Sequence, residues 1–264
     1  MKTLVYQVSV GKPSKLYKHC INSVKSYCEK YGFDHYVQTT PKMMIRPDPF
    51  FTNRSEESYM KYGGYLPIYE KENAFDMMEG YDRLLIVDAD IYIKDTAPNI
   101  LDDLDCNCAF AAVCEREMSL HPWYKDKIRN YSHMQYANLH SNQTDFKPND
   151  LGFEFFNMGL ILINVHEFKP YLAHDTGKQF IQREEFKQFV DGMGAWKWST
   201  DQTLLNYFLK KYKIPTRHLG WQWNGLFTAN DRIEECHFVH FFLKDKLPDR
   251  GENVDALMEQ ILPL

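Results

Sequence analysis

Tyr81-Asp82-Arg83-Leu84-Leu85-Ile86-Val87-Asp88-Ala89-Asp90-Ile91 is the stretch on which the reading of this chain turns. Arg83–Val87 is nearly all aliphatic, the pattern of a strand covered on both faces. Asp88 and Asp90 follow it directly. In an open α/β sheet, ligands bind beyond the carboxyl ends of the strands, so an acidic pair at this point is placed for chemistry. Two carboxylates one residue apart on extended backbone point to opposite faces. Where the chain turns, both can approach one hard divalent cation. Such a cation can neutralise a diphosphate leaving group. The plain alternative is an exposed acidic turn, and Asp-x-Asp alone does not choose between the two.

Outward from this strand, the chain reads as alternating elements. Thr3–Val10 is a β-branched and aromatic run that ends at Gly11, a first strand. Pro13-Ser14 opens a helical pattern to about Lys30, carried by Leu16, Cys20, Ile21, Val24 and Tyr27-Cys28, and Gly32 ends it. His35–Gln38 is a second strand. A β-α-β opening favours a parallel sheet. Residues 40–58, with Pro41, Pro47, Pro49, Asn53 and Ser55, read as loop. A helix is expected from Tyr59 to about Met78, interrupted near Gly63-Gly64 and Pro67. Ala109–Val113 and Gly159–Asn164 are further strands, and helical patterns follow around 166–190 and 200–212. Residues 117–150 have little periodicity and read as loops over a site. With no repeat and no low-complexity linker, the expectation is one α/β domain over 1–264 with a mixed, mostly parallel central sheet.

Composition narrows the class. The 264 residues are 44% hydrophobic and 15% aromatic, ample for a packed core and unlike a disordered chain. Thirty-one Lys+Arg against 36 Asp+Glu give a formal net charge of -5, which disfavours a nucleic-acid binder. Mean hydropathy is -0.51, and no apolar run approaches the roughly 18 residues that span a bilayer. The start becomes polar too early for a signal peptide. The six cysteines, Cys20, Cys28, Cys106, Cys108, Cys114 and Cys236, lack the spacing of a closed zinc site and read as free thiols, which together with the polar start suggests a reducing cytoplasm. The sequons at Asn53, Asn130 and Asn142 then read as chance matches. Residues 253–262 are amphipathic, short and acidic, suited to packing on the domain or on a second subunit of a homodimer rather than to a membrane.

Four segments in order resemble the GT-A glycosyltransferases of family 8, the group of glycogenin and the bacterial lipooligosaccharide galactosyltransferases. Residues 81–91 resemble the strand and D-x-D signature. Phe156-Asn157-Met158-Gly159-Leu160 resembles the F-N-x-G segment. Thr200–Asn206 is similar to D-Q-x-L-L-N. Val239-His240-Phe241 with Lys246 resembles the closing V-H-F-x-x-x-x-K motif. The combination, spanning roughly 80–246, is far more specific than any one part. The sequence departs from the family in two places. Leu243 and Leu247-Pro248 replace the Gly and Pro-Trp that flank the closing lysine, and Gln7–Gly11 lacks the usual uridine contacts. The resemblance implies a Rossmann-like nucleotide-diphospho-sugar transferase fold, with 1–115 mainly binding nucleotide and 116–264 mainly binding donor sugar and acceptor. It implies a hexosyltransferase-like enzyme of glycan biosynthesis that moves a sugar from a UDP-linked donor to a glycan or other hydroxyl acceptor, with retention.

The resemblance also assigns residues. Asp88, Asp90 and His240 would hold the metal, a mixed oxygen and imidazole set suited to Mn²⁺ or Mg²⁺ rather than Ca²⁺. His237 is the alternative ligand, but residues 237 and 240 face opposite sides of a strand. Lys246 would stand by the diphosphate, Lys61 near the nucleotide, and Asn157 on the donor sugar. Asp201 and Gln202 would contact the sugar and stabilise an oxocarbenium-like transition state, although a helix start explains Thr200-Asp201 equally well. Lys61 reads as readily as a solvated helix charge. Trp196/Trp198 and Trp221/Trp223, each placed on one face of an extended segment, offer one pair to an acceptor wall and one to the core.

Three other readings compete. A haloacid-dehalogenase-type phosphatase would have Thr or Val two residues after the second aspartate, where Tyr92 stands, and its motif near the chain start. A nucleotidyltransferase would carry a Gly-rich segment after the first strand, where only Gly11-Lys12-Pro13 is found. A degenerate carbohydrate-binding relative would have no need of an intact Asp88, Asp90 and His240.

Overall fold

The computed structural model describes residues 1–48, 50–51, 60–104, 108–139, 144 and 146–262. Cys106, Asn53, Asn142, most of the second half of the loop expected over 40–58, and Tyr59 lie outside them.

The opening follows the expected order. β1 (Thr3–Val8) leads to α1 (Lys15–Tyr31) and β2 (Asp34–Gln38). Ser14 caps α1 by accepting a hydrogen bond from the Tyr17 amide, and Gly32 ends it at φ 70°, a left-handed conformation that glycine adopts without strain. β3 (Arg83–Val87), β4 (Ile91–Ile93) and β5 (Phe110–Cys114) follow. After α2 (Pro122–Tyr136) come the short β6 (Pro148–Asn149) and β7 (Gly152–Phe153), then β8 (Phe156–Asn164), buried along all nine residues. The remainder is α3 (Val165–Leu172), α4 (Gly177–Ile181), α5 (Lys187–Val190), α6 (Asp201–Lys211), β9 (Thr216–Leu219), β10 (Gly225–Leu226), β11 (Phe238–His240) and α7 (Val254–Ile261).

Six strands form the main sheet in the order β2-β1-β3-β8-β5-β9. β1 runs parallel to β2 and β3, and β5 parallel to β9. β8 is antiparallel to both of its neighbours. The sheet is therefore mixed, and its apolar strands carry the main core. A small second sheet, β10-β11-β4, stands beside it. There β11 pairs antiparallel with β4, setting His240 opposite Ile91. α7 packs Leu257 and Ile261 against Leu16 and Cys20 of α1, so its apolar stripe is used within this chain.

Three expectations need correction. Residues 117–150 are not all loop, because 122–136 form α2. Its buried stripe is Tyr124, Ile128, Ser132, Gln135 and Tyr136, at helical spacing but half polar. Ser132 Oγ accepts from the Phe153 amide at 2.9 Å, and Gln135 Oε1 accepts from Thr203 Oγ1 at 3.0 Å. Those partners make burial of polar groups affordable and hide the periodicity. The helix expected up to Met78 is α-helical over 60–62 and breaks at Gly63-Gly64 as expected, but its second part, Pro67–Met77, is a 3₁₀ segment. Residues 69–75 are buried without a break, which leaves no solvent face for an amphipathic α-helix. The tryptophan pairs do not lie on extended segments. Trp196 ends one 3₁₀ turn and Trp221–Asn224 form another.

Candidate active site

The turn after β3 puts Asp88 and Asp90 at the floor of a cavity of about 350 Å³, lined also by Lys71, Asn157, Gly159, Thr200, Asp201, Gln202 and His240. The turn is held by its backbone. The Asp88 amide donates to Gly159 O at 2.8 Å, the Ile91 amide to Asp88 O at 3.1 Å, and the Phe241 amide to Asp90 O at 2.9 Å. Pairing of β11 with β4 thus delivers the imidazole. His240 Nε2 lies 3.3 Å from Asp90 Oδ1 and 3.8 Å from Asp88 Oδ2. One ligating atom from each of the three residues lies within 4.8 Å of the others. His237 points elsewhere and packs on the Trp223 ring at 4.9 Å, with its pKa lowered by burial.

A directional chain of hydrogen bonds sets the tautomer of His240. Asn157 Nδ2 donates to Glu115 Oε1 at 2.6 Å, and Asn224 Nδ2 donates to Asn157 Oδ1 at 2.8 Å. Asn224 Oδ1 is then the acceptor that faces His240 Nδ1 at 3.2 Å. Nδ1 carries a proton toward Asn224, which leaves Nε2, on the side of the acidic pair, as the atom that would ligate a cation. Gly159 makes room for the ring. A Cβ there would stand 2.4 Å from His240 Cε1 and 2.7 Å from Nδ1. The Asn and Gly of the Phe-Asn-x-Gly segment are thereby explained by the histidine they accommodate.

Lys71 is the cation of the site. Its ammonium sits 2.9 Å from Asp88 Oδ1 and 2.7 Å from Asp201 Oδ2, and donates to Met158 O at 2.9 Å. Burial pushes its pKa down, but Asp201 and Asp88 outweigh it and the net shift is upward. Burial raises Asp88, with Lys71 opposing and Asp90 adding to the rise. For His240, burial acts downward and is outweighed by Asp90, leaving the ring more basic than usual. The site is thus a cluster of carboxylates that collects positive charge.

The remaining motif positions divide. Thr200 is the N-cap of α6, and Asp201 and Gln202 begin it at the cavity wall. Gln202 Oε1 accepts from the Met158 amide at 3.4 Å. Asn206, the last residue of that motif, pairs with the Phe156 backbone in both directions, at 2.7 and 2.9 Å. Lys61 lines an adjoining cleft of about 800 Å³ with Lys12, Lys15, Lys18 and Lys244. Lys246 is exposed and lies outside the acidic cavity's lining, its ammonium 4.4 Å above the Trp123 ring. Trp223 is core, donating to Asp103 Oδ2 at 2.6 Å. Trp196 packs edge-on to Phe189, and Trp198 is 49% exposed.

Two site residues went unnoticed in the sequence. Lys71 hides among consecutive charges in Glu70-Lys71-Glu72, and only its burial beside Asp88 and Asp201 marks it. Glu115 follows β5 as Asp88 follows β3, at the carboxyl end of a strand, and that position was its signal. Burial first, against the Asn157 hydrogen bond, pushes its pKa up to about 7.

No protein-family model matches the chain, and no curated protein matches its sequence. Solved structures do match. The galactosyltransferase LgtC, in complex with donor and acceptor sugar analogues, aligns over 99% of this chain and 97% of its own, with a TM-score of 0.54 at 14% identity. Mouse xyloside xylosyltransferase 1 aligns over 94% and 100%, with a TM-score of 0.50 at 11% identity. The fold is that of the GT-A glycosyltransferases, family 8 type among them. Among the described residues, no helix is long and apolar enough to cross a membrane.

Proposed function

We propose that this chain is a metal-dependent glycosyltransferase that moves a sugar from a nucleotide-sugar donor, UDP-linked, to a glycan or other hydroxyl acceptor with retention. The observation that carries the reading is the convergence of Asp88, Asp90 and a tautomer-fixed His240 Nε2 at the floor of one cavity. Two carboxylates and one neutral imidazole fit Mn²⁺ or Mg²⁺. Bound there, such a cation would neutralise the diphosphate leaving group.

The chain's own residues supply the rest. Asp201 and Gln202, rigid at the start of α6, face the donor sugar. Lys71 holds Asp88 and Asp201 in register. Asn157 Nδ2 gives one of its two hydrogens to Glu115, which leaves the other for a ligand. The lysine-rich cleft, with Lys61, suits the nucleotide phosphates, and Lys246, exposed over the ring of Trp123, is the lysine that the closing motif assigns to the diphosphate.

Incubation with UDP-, GDP- and CMP-sugars, with and without Mn²⁺, tests the reading. Metal-dependent donor turnover is expected. UDP and Mn²⁺ together should raise the melting temperature more than either alone, since a ligand at about 100 times its Kd stabilises by about 2.7 kcal/mol. No turnover and no joint shift with any donor would refute it. Asp88→Asn and Asp90→Asn should abolish the joint shift and leave the fold intact, as should His240→Ala, while His237→Ala should keep the shift.

A further inference from the structure

A second set of metal-ligating side chains stands at the far edge of the main sheet, built from groups that the sugar-transfer reading does not use. Cys114 ends β5, Glu117 ends the 3₁₀ turn Glu115–Glu117 that follows, and His218 lies on β9, the parallel neighbour of β5. One ligating atom from each lies within 4.8 Å of the others. The thiol is buried, whereas Glu117 and His218 are exposed, so a cation can enter from solvent and reach a sulfur floor. His218 Nδ1 already faces Glu117 Oε2 at 2.8 Å, and the ring is braced edge-on against Phe156. The ligands are therefore assembled by strand pairing and ring packing rather than by chance proximity of mobile chains.

We infer that Cys114, Glu117 and His218 form a second divalent-cation site, of zinc type, that pins the turn carrying Glu115. A thiolate, an imidazole and a carboxylate are a borderline-soft set, which suits Zn²⁺ and discriminates against Mg²⁺. Three protein ligands leave the fourth position of a tetrahedron to water. Glu154 is not the fourth ligand. Its carboxylate is engaged by Arg116 at 3.0 Å and by Lys210, and it stands 3.8 Å from His218 Nε2. Glu117, by contrast, pairs with no lysine or arginine among the described residues. Binding exchanges the S–H bond for an S–metal bond and releases the proton to solvent. The donors at residues 114 and 117 flank Glu115, whose carboxylate receives Asn157 Nδ2, so occupancy fixes the anchor of the His240 hydrogen-bond chain.

Titration of the metal-free protein with Co²⁺ tests this directly and does not depend on sugar transfer. The expected result is one equivalent giving a thiolate-to-cobalt charge-transfer band and tetrahedral visible bands, displaced by Zn²⁺ and not by Mg²⁺. Cys114→Ser should abolish the band, and Asp90→Asn should retain it. Zn²⁺ affinity measured against a chromophoric chelator should fall more than about tenfold in His218→Gln, which leaves the thiol and the sheet in place, so the test stands even if Cys114→Ser fails to fold. No band, a band that survives Cys114→Ser, or unchanged Zn²⁺ affinity in His218→Gln would overturn the inference.

Discussion

Gly159 shows how narrowly the site is drawn at the scale of one residue. The methyl group of Gly159→Ala would have to occupy space 2.4 Å from His240 Cε1. The ring must move, since the next atom that Cβ would meet beyond the ring, at 3.0 Å, is the Asn157 oxygen that helps aim it. Gly159→Ala is expected to lose cation-dependent nucleotide binding by calorimetry while keeping the circular dichroism of the parent. Glu115 makes a prediction with a defined sign. Burial holds its folded pKa at about 7, above the 4.5 of a solvated glutamate. The folded state therefore holds the proton more tightly than the unfolded chain, and stability falls as pH rises from about 4.5 to about 7, to a full cost of about 3 kcal/mol above that window. Glu115→Gln keeps an oxygen for Asn157 and removes the charge. In urea titrations with a chelator present, it should match the parent at pH 5 and exceed it at pH 8. The motif residues were legible in the sequence because their types are distinctive. Lys71 was not, because a charged residue in a charged run declares itself through burial, which the other elements impose, and Glu115 offered only its place after a strand.

At the scale of elements, the site is a junction. Lys71 ties the 3₁₀ segment Pro67–Met77 to β3 through Asp88 and to α6 through Asp201. Removing the ammonium leaves the buried Asp201 carboxylate facing the part-exposed Asp88 without a counter-charge. Lys71→Met should lower the unfolding free energy by about 3 kcal/mol or more, and adding Asp201→Asn should return part of the loss. Asn206 stitches α6 to β8 by standing in for a strand partner of Phe156. Asn206→Leu preserves volume but orphans a buried N–H and C=O, which costs about 1–3 kcal/mol for each group. Denaturant unfolding checks both variants. Elements with one-sided apolar patterns, such as α1, were read correctly from sequence. The Pro67–Met77 segment and α2 were misread because their buried positions are filled by polar groups whose partners lie far along the chain.

Across the whole molecule, β8 is the keystone. It is paired on both edges, buried throughout, and shifted in register between Ala112 and Val113 of β5, where Asn157 takes over the pairing from Ile161. That irregularity frees Met158 and Gly159 to shape the cavity wall. The amides of β8 and β3 are expected to be the slowest to exchange with deuterium, because opening either exposes the centre of the main core. A faster core in β8 than in the edge strand β2 would contradict this account.

His240 stood out through the resemblance of its segment to the family, whereas the strand order along the chain, the caps at Ser14 and Gly32, and an acidic pair after an aliphatic strand were decided locally, by hydrophobic period and backbone preference. These are properties that neighbouring residues carry with them. The antiparallel insertion of β8, the burial of Lys71 and Glu115, and the meeting of His240 with the acidic pair were decided only by the tertiary structure. Residues 90 and 240 are joined through the pairing of β4 with β11, and the tautomer that aims the imidazole depends on Asn224, Asn157 and Glu115 from three other segments. Such contacts gain their energy from desolvation and from partners distant in sequence, and no local pattern of residues encodes them.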